Sequence, residues 1–182
     1  MRHEIIMSGF GGQGVMVMGQ LLTYAGMLEN KNVSWMPSYG PEMRGGTANC
    51  SVIVADASVG APIVTKPTAA VIMNLPSLDK FEATIKANGA MIINSSLVNK
   101  QVQRDDIKTY LVPINEIANE LGNVKMINMV ALGALLAATD VVEKETLMNA
   151  FAKKFASKPG IVSANQEALN KGYDFVMELK AN

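Results

Sequence analysis

The chain has 182 residues, 49% of them hydrophobic, and sixteen Lys and Arg balance sixteen Asp and Glu to a formal charge of zero. A single domain of this length buries roughly 70% of its unfolded surface, so a full core forms without staples. The even charge balance gives no electrostatic footprint for nucleic acid or an anionic membrane. One cysteine and one histidine exclude a disulfide framework, a Cys/His metal cluster and a four-thiolate iron–sulfur site on this chain.

The first residues, Met1-Arg2-His3, run directly into a strand, so no signal peptide is expected. Glu4-Ile5-Ile6-Met7-Ser8 is that strand, and Gly9-Phe10-Gly11-Gly12-Gln13-Gly14 follows it. A helix is predicted from Val15 to Glu29, with Met18, Leu21, Leu22, Ala25 and Leu28 as its apolar stripe. Strand, glycine-rich turn and helix together open a phosphate-binding α/β unit. Gly9, Gly11, Gly12, Gln13 and Gly14 are therefore the candidate anion loop, with bare N–H groups at the helix N-terminus. Pure turn geometry explains the same glycines equally well. Gly19 and Gly26 share one helix face and predict close approach of a neighbouring element.

The second strand is predicted over Val33-Ser34-Trp35-Met36-Pro37 and carries no carboxylate. An NAD-type fold places an Asp or Glu there, about 20 residues after the glycines, to hold the ribose. Next comes a Pro/Gly-rich loop from Ser38 to Thr47, in which Arg44 stands beside Gly45 and Gly46 and near Tyr39 and Glu42. Arg44 offers a planar fork for a carboxylate or phosphate, and long unpatterned loops at strand ends commonly carry contacts. Local pairing of Arg44 with Glu42 is the plainer alternative.

Ala48 to Ala55 reads as a strand with Ala48, Cys50, Val52 and Val54 on one face, and Cys50 as core filler. Asp56 turns the chain, and Val59 to Thr65 is expected to return as an irregular edge strand. Thr68 to Met73 is a short buried strand, and Asn74-Leu75-Pro76 starts a helix that Asn88-Gly89 caps. Ala90 to Ile93 and Lys108 to Val112 are further strands, with Pro113 opening a helix over Ile114 to Leu121 that Gly122 ends. Met126 to Ala138 is apolar nearly all round, a core helix too short for the roughly 20 residues that span a bilayer. Asn128 within it reads as a buried amide satisfied by neighbours, and Asp140 as a turn residue. Glu143 to Phe155 is amphipathic, and Ser163 with Gln166 forms a capping box for a last helix whose Leu169, Tyr173 and Val176 face inward. His3 is expected at the surface or a strand edge.

Strands alternating with helices predict one α/β domain over residues 1–182. The expected architecture is three-layer αβα, with a mostly parallel, mixed, Rossmann-like sheet. No Ser/His/Asp or Cys/His catalytic set and no metal site can be assembled, so no catalytic residue is expected on this chain. A cytoplasmic protein is expected, with no nucleic-acid or membrane partner. Thirteen methionines suit either ordinary core filling or an adaptable contact surface.

The glycine loop and Tyr39-Gly40-Pro41-Glu42-Met43-Arg44-Gly45-Gly46-Thr47, taken together, resemble one known family over nearly the whole chain. It is the gamma-subunit family of 2-oxoacid:ferredoxin oxidoreductases. Glu120-Leu121-Gly122-Asn123, Asn128 to Gly133, and Asn165, Ala168 and Gly172 fit it as well. The Tyr-Gly-Pro-Glu-Met form is closer to 2-oxoglutarate and branched-chain 2-oxoacid enzymes than to indolepyruvate enzymes. The resemblance implies a thiamine-dependent oxidative decarboxylation in which coenzyme A takes the acyl group and ferredoxin the electrons. It implies thiamine diphosphate, Mg and [4Fe–4S] clusters on partner alpha, beta and, in some complexes, delta subunits, assembled as a dimer of the hetero-oligomer. The gamma chain would bind no cofactor firmly, and would be a scaffold and part of the wall of the active-site or coenzyme A channel. Ser38, Tyr39, Glu42, Arg44, Gly45, Gly46 and Thr47 are then the candidate contacts to substrate, coenzyme A or a partner. Two other classes stay open: a free-standing nucleotide-binding protein, and a non-catalytic interaction domain.

Overall fold

The computed structural model describes residues 1–38 and 47–181. Its strands are β1 (Arg2–Phe10), β2 (Asn32–Ser38), β3 (Thr47–Ala55), β4 (Ala69–Ile72), β5 (Ala90–Asn94) and β6 (Lys108–Val112). The helices are α1 (Val15–Leu28), α2 (Leu75–Phe81), α3 (Ile114–Glu120), α4 (Ile127–Thr139), α5 (Lys144–Lys154) and α6 (Val162–Ala181), with short 3-10 turns before α4 and α6 and after α2. The six strands lie in the order β2-β3-β1-β4-β5-β6. From β1 through β6 the pairing is parallel, while β3 runs antiparallel to both β1 and β2. The sheet is mixed and mostly parallel, as expected. The insertion of β3 between β1 and β2 was not legible in the sequence.

The two faces of the sheet are covered unequally. On one face the odd-numbered β1 residues Ile5 and Met7, with Cys50, Val52 and Val54 of β3, join α1, α3, α4, α5 and α6 in the larger core. On the other, Ile6, Ala70, Ile72, Met91 and Ile93 pack beneath α2 and the segments carrying Ile85, Val98 and Ile107. Strict alternation along β1, β3, β4 and β5 sends successive side chains to opposite faces. The stretch Met129–Ala137 of α4 is buried throughout, which accounts for its apolar pattern on every side.

Close helix contacts carry much of this packing. A side chain at Gly19 would meet Cys50 Sγ at 2.6 Å and Trp35 Nε1 at 2.7 Å, and one at Gly26 would meet Val33 Cγ1 at 2.8 Å. The glycine face of α1 is therefore the face laid on β2 and β3. Helices α4 and α6 approach more closely still. A Cβ on Gly133 would lie 1.9 Å from the Leu169 carbonyl oxygen, and one on Gly172 would lie 2.0 Å from that of Val130. The two helices touch backbone to backbone here, and each fills the hollow left by the other's glycine.

Several expectations need correction. Residues 59–65 form no strand; Pro62 lacks a ladder donor, and the segment runs without regular structure across the amino edge of the sheet. Asn88 adopts positive φ (63°) in the turn that feeds β5, and does not cap α2, which closes through the 3-10 turn Glu82–Thr84. Ser163 lies inside the first turn of α6, because the 3-10 turn Pro159–Ile161 runs directly into that helix, so no capping box forms. Pro37 belongs to β2 as expected, and the edge position of that strand tolerates it. His3 is half-buried on β1, an interior strand, and burial lowers its pKa. Asp56 is a turn residue as expected. Lys31 and the chain amino group both bind its carboxyl and hold it down to about 2.

Cys50 is fully buried, its thiol donates to the Val15 carbonyl at 3.6 Å, and burial pushes its pKa up to about 11. The Trp35 indole N–H lies against the same sulfur and has no conventional partner among the described residues. A thiol held protonated and covered does not attack. In the native chain a disulfide reagent at pH 7.5 is expected to leave Cys50 unmodified over an hour, with full reaction only after denaturation. Rapid native labelling would show that β3 is open to solvent.

Candidate functional site

The parallel strands point their carboxyl ends toward one edge of the sheet, and there the connections diverge. From β1 the chain goes through α1 to β2 on one side, whereas β4, β5 and β6 progress to the other. The crevice between the ends of β1 and β4 is thus a topological switch point, where open α/β sheets hold ligands.

The glycine loop forms one wall of it. Gln13 ties the loop down: its Oε1 accepts from Phe10 N at 2.7 Å, and its Nε2 donates to the Met73 carbonyl at 3.3 Å. Gly14 sits at φ 75° as the N-cap of α1, and no side chain caps that helix. Among the described residues the first N–H groups of α1 therefore have no side-chain partner, and they carry the positive end of its dipole. A side chain on Gly14 would also collide with Asn128 Cβ and Nδ2 at 2.9 Å. Asn128 is half-buried, not buried, and its amide makes no hydrogen bond among the described residues. It stands over the loop at the start of α4.

The second candidate loop is rooted beside the first. Ser38 ends β2 opposite Asn49, and Thr47 begins β3 opposite Phe10, so both roots reach the same carboxyl edge. Tyr39, Glu42, Arg44, Gly45 and Gly46 lie outside the described residues. The sheet order also bears on the missing ribose carboxylate. Because β3 fills the slot beside β1, β2 stands two strand spacings away, about 10 Å. A carboxylate on β2 would be far from a nucleotide on the glycine loop.

Sequence reading missed a row of buried polar groups along this edge. Ser8 and Ser77 share a hydrogen bond of 2.8 Å, and Asn74 Oδ1 caps α2 by accepting from Ser77 N at 2.9 Å. Asn94 Nδ2 donates to the half-buried Asn115 Oδ1 at 2.8 Å, and nearer the surface Ser96 bonds the exposed Glu116. Asn74 Nδ2 and Asn94 Oδ1 are buried and unpartnered among the described residues. The signal was present: the apolar runs Val71-Ile72-Met73 and Met91-Ile92-Ile93 each stop on an asparagine. Exposed Phe10, Leu97, Leu111 and Val124 surround the same edge. Among the described residues no three His, Cys, Asp or Glu are grouped to hold a metal, and no helix is long and apolar enough to cross a membrane.

A doubly wound sheet with a glycine turn at its switch point and exposed apolar residues near that edge defines a Rossmann-like α/β domain. Residues 4–175 match the pyruvate ferredoxin/flavodoxin oxidoreductase family, and the chain belongs to that family. It is 35% identical to the 2-oxoglutarate synthase subunit KorC of Methanocaldococcus jannaschii, covering 98% of this chain and 96% of that one. It is 34% identical to the ketoisovalerate oxidoreductase subunit VorA of Methanothermobacter marburgensis, where it covers 94% of this chain but spans only 36% of the relative's length. The crystal structure of a keto/oxoacid ferredoxin oxidoreductase gamma subunit from Geobacter sulfurreducens PCA superposes with a TM-score of 0.83 at 30% identity, over 97% of this chain and 99% of that one.

Proposed function

We propose that this chain serves as the gamma subunit of a cytoplasmic, thiamine-dependent 2-oxoacid:ferredoxin oxidoreductase. The complex converts a 2-oxoacid, of the 2-oxoglutarate or branched-chain class, into its acyl-coenzyme A with release of CO2 and transfer of electrons to ferredoxin. One observation carries the reading: the uncapped N-terminus of α1 and the roots of the 38–47 loop share the carboxyl edge of a sheet belonging to this family. Thiamine diphosphate, Mg and the iron–sulfur clusters belong to partner alpha, beta and, where present, delta subunits. A single cysteine is three thiolates short of what a four-thiolate iron–sulfur cluster takes.

The chain's own contribution is positional. Bare N–H groups of α1 and the fork of Arg44 favour an anionic group at the edge, such as the phosphates of coenzyme A. The exposed apolar residues around that edge are where partner subunits cover it, leaving the crevice as one wall of their channel. Co-expression with the thiamine-binding and cluster-binding chains tests this reading. The isolated chain is expected to be colourless and inactive with viologen. The complex assembled without it is expected to lose about 100-fold in coenzyme A-dependent turnover, the scale of a misplaced reacting group. Equal turnover with and without this chain would refute the assignment.

A further inference from the structure

The opposite edge of the sheet, at the amino ends of β1 and β4, carries a concavity of its own. It encloses about 930 Å³, and its walls include Arg2, Glu4, Lys66, Thr68, Lys86 and Arg104. That volume lies within the range of small-molecule sites, roughly 300–1,000 Å³. The run of β1 from Arg2 to Phe10 places it about 27 Å from the glycine loop.

The charges in this cavity are not evenly paired. Arg2 binds Glu4 Oε1 through Nε at 2.7 Å and through Nη2 at 2.6 Å. Arg104 forks onto Asp106 and sends Nη1 to the Ile85 and Glu82 carbonyls, so its guanidinium is fixed. Glu82 is turned away and accepts from Gln103 N. Lys66 and Lys86 have no acidic partner among the described residues, although the whole chain is neutral. Each arginine is matched by one carboxylate, with Glu82 also acting on Arg104, while the exposed Lys66 and Lys86 stand on the wall with no ion pair of their own among the described residues. The hydroxyl of Thr65, also on the wall and without a hydrogen-bond partner among the described residues, adds a neutral donor.

We propose that this amino-edge cavity is a second anion site, which takes a small dianion of the phosphate-monoester class. Two ammonium groups match a group of nearly two negative charges, and the fixed arginines set the shape around it. A ligand of this size fits the hollow because its walls come from four separate stretches of chain around residues 2–4, 65–68, 83–87 and 104. An acidic protein surface would need the cations on a convex face. The site stands independently of the gamma-subunit reading, since none of its residues lies at the carboxyl edge.

Titration of the full-length 15N-labelled chain with glycerol 3-phosphate at low ionic strength tests the proposal. Saturable amide shifts are expected at Thr65, Lys66, Thr68, Lys86 and Ala87. The Lys66→Ala/Lys86→Ala double variant is expected to weaken binding by about tenfold or more, with its melting temperature unchanged. Shifts confined to Gly11–Val15, absence of saturation, or wild-type affinity in the double variant would overturn it. A tetraglutamate peptide that binds the same amides more tightly than glycerol 3-phosphate would also overturn it, and would assign the cavity to an acidic protein partner.

Discussion

Replacing Gly172 with alanine is expected to destabilise the chain by about 3 kcal/mol, with Gly133→Ala close behind. In each case the new methyl would sit 2.0 Å or less from a main-chain carbonyl oxygen of the facing helix. A flexible side chain could swing aside, but a helical carbonyl moves only with its helix. Helices α4 and α6 must then separate along a seam that also buries Leu169, Val176 and the wholly buried middle of α4. For a chain of this size the loss corresponds to a fall in melting temperature of about 6–12 °C. The double variant is expected to cost less than the sum, because the first substitution already parts the helices that the second would strain. Gly60→Ala is the control: a methyl there meets nothing within 4 Å, and a change within about 0.5 kcal/mol is expected. Thermal and urea unfolding of the four variants measures all of this. A near-neutral Gly172→Ala would mean that the two helices do not touch as described.

The second large effect concerns Arg44 in the assembled complex. Its loop leaves β2 at Ser38 and rejoins the sheet at Thr47, beside the last residue of β1. If the guanidinium grips a phosphate or carboxylate at this edge, Arg44→Ala removes a charged hydrogen bond worth about 1.5–3 kcal/mol, or about 10- to 100-fold in kcat/KM for coenzyme A. Arg44→Lys is expected to recover only part of the loss, because a point charge cannot reproduce a two-pronged contact. Thermal stability of the subunit is expected to stay the same. Steady-state kinetics with coenzyme A and the 2-oxoacid varied separately distinguish a lost coenzyme contact from a lost substrate contact. Unchanged kinetics for Arg44→Ala would reduce the arginine to a locally paired loop residue.

Much of this fold was legible because local pattern and tertiary demand agree. Lys108–Val112 is a strand bounded by Pro113, and the Gly19/Gly26 face of α1 does meet a sheet. Cys50, Val52 and Val54 share the core face that alternation assigned to them. What escaped was set by distant partners. Nothing within residues 47–55 tells that this strand lies between β1 and β2, since antiparallel and parallel strands differ in hydrogen-bond partners more than in composition. Val59 to Thr65 was expected as an irregular edge strand, yet it pairs with no strand among the described residues. At the site, the glycine turn was readable from spacing, whereas Asn74 and Asn94 gained meaning only when β4 and β5 stood side by side.

The placement of β3 also decides the order in which the molecule can be made. In a simple β-α-β unit the second strand docks directly on the first, and a nascent chain closes it as soon as both have been synthesised. Here β1 pairs with nothing until residues 47–55 arrive on one flank and 69–72 on the other. Helix α1 and β2 must therefore wait, with the apolar stripe of α1 exposed, for a strand that threads into the gap between its predecessors. Docking β1 on β3 closes the 36 residues between Phe10 and Thr47, whereas β2 and β3 pair across the short 38–47 connection. This chain is thus a slow folder for its helix content, with a long window in which half-made chains carry bare apolar surface. That window falls during synthesis, before partner subunits can cover anything.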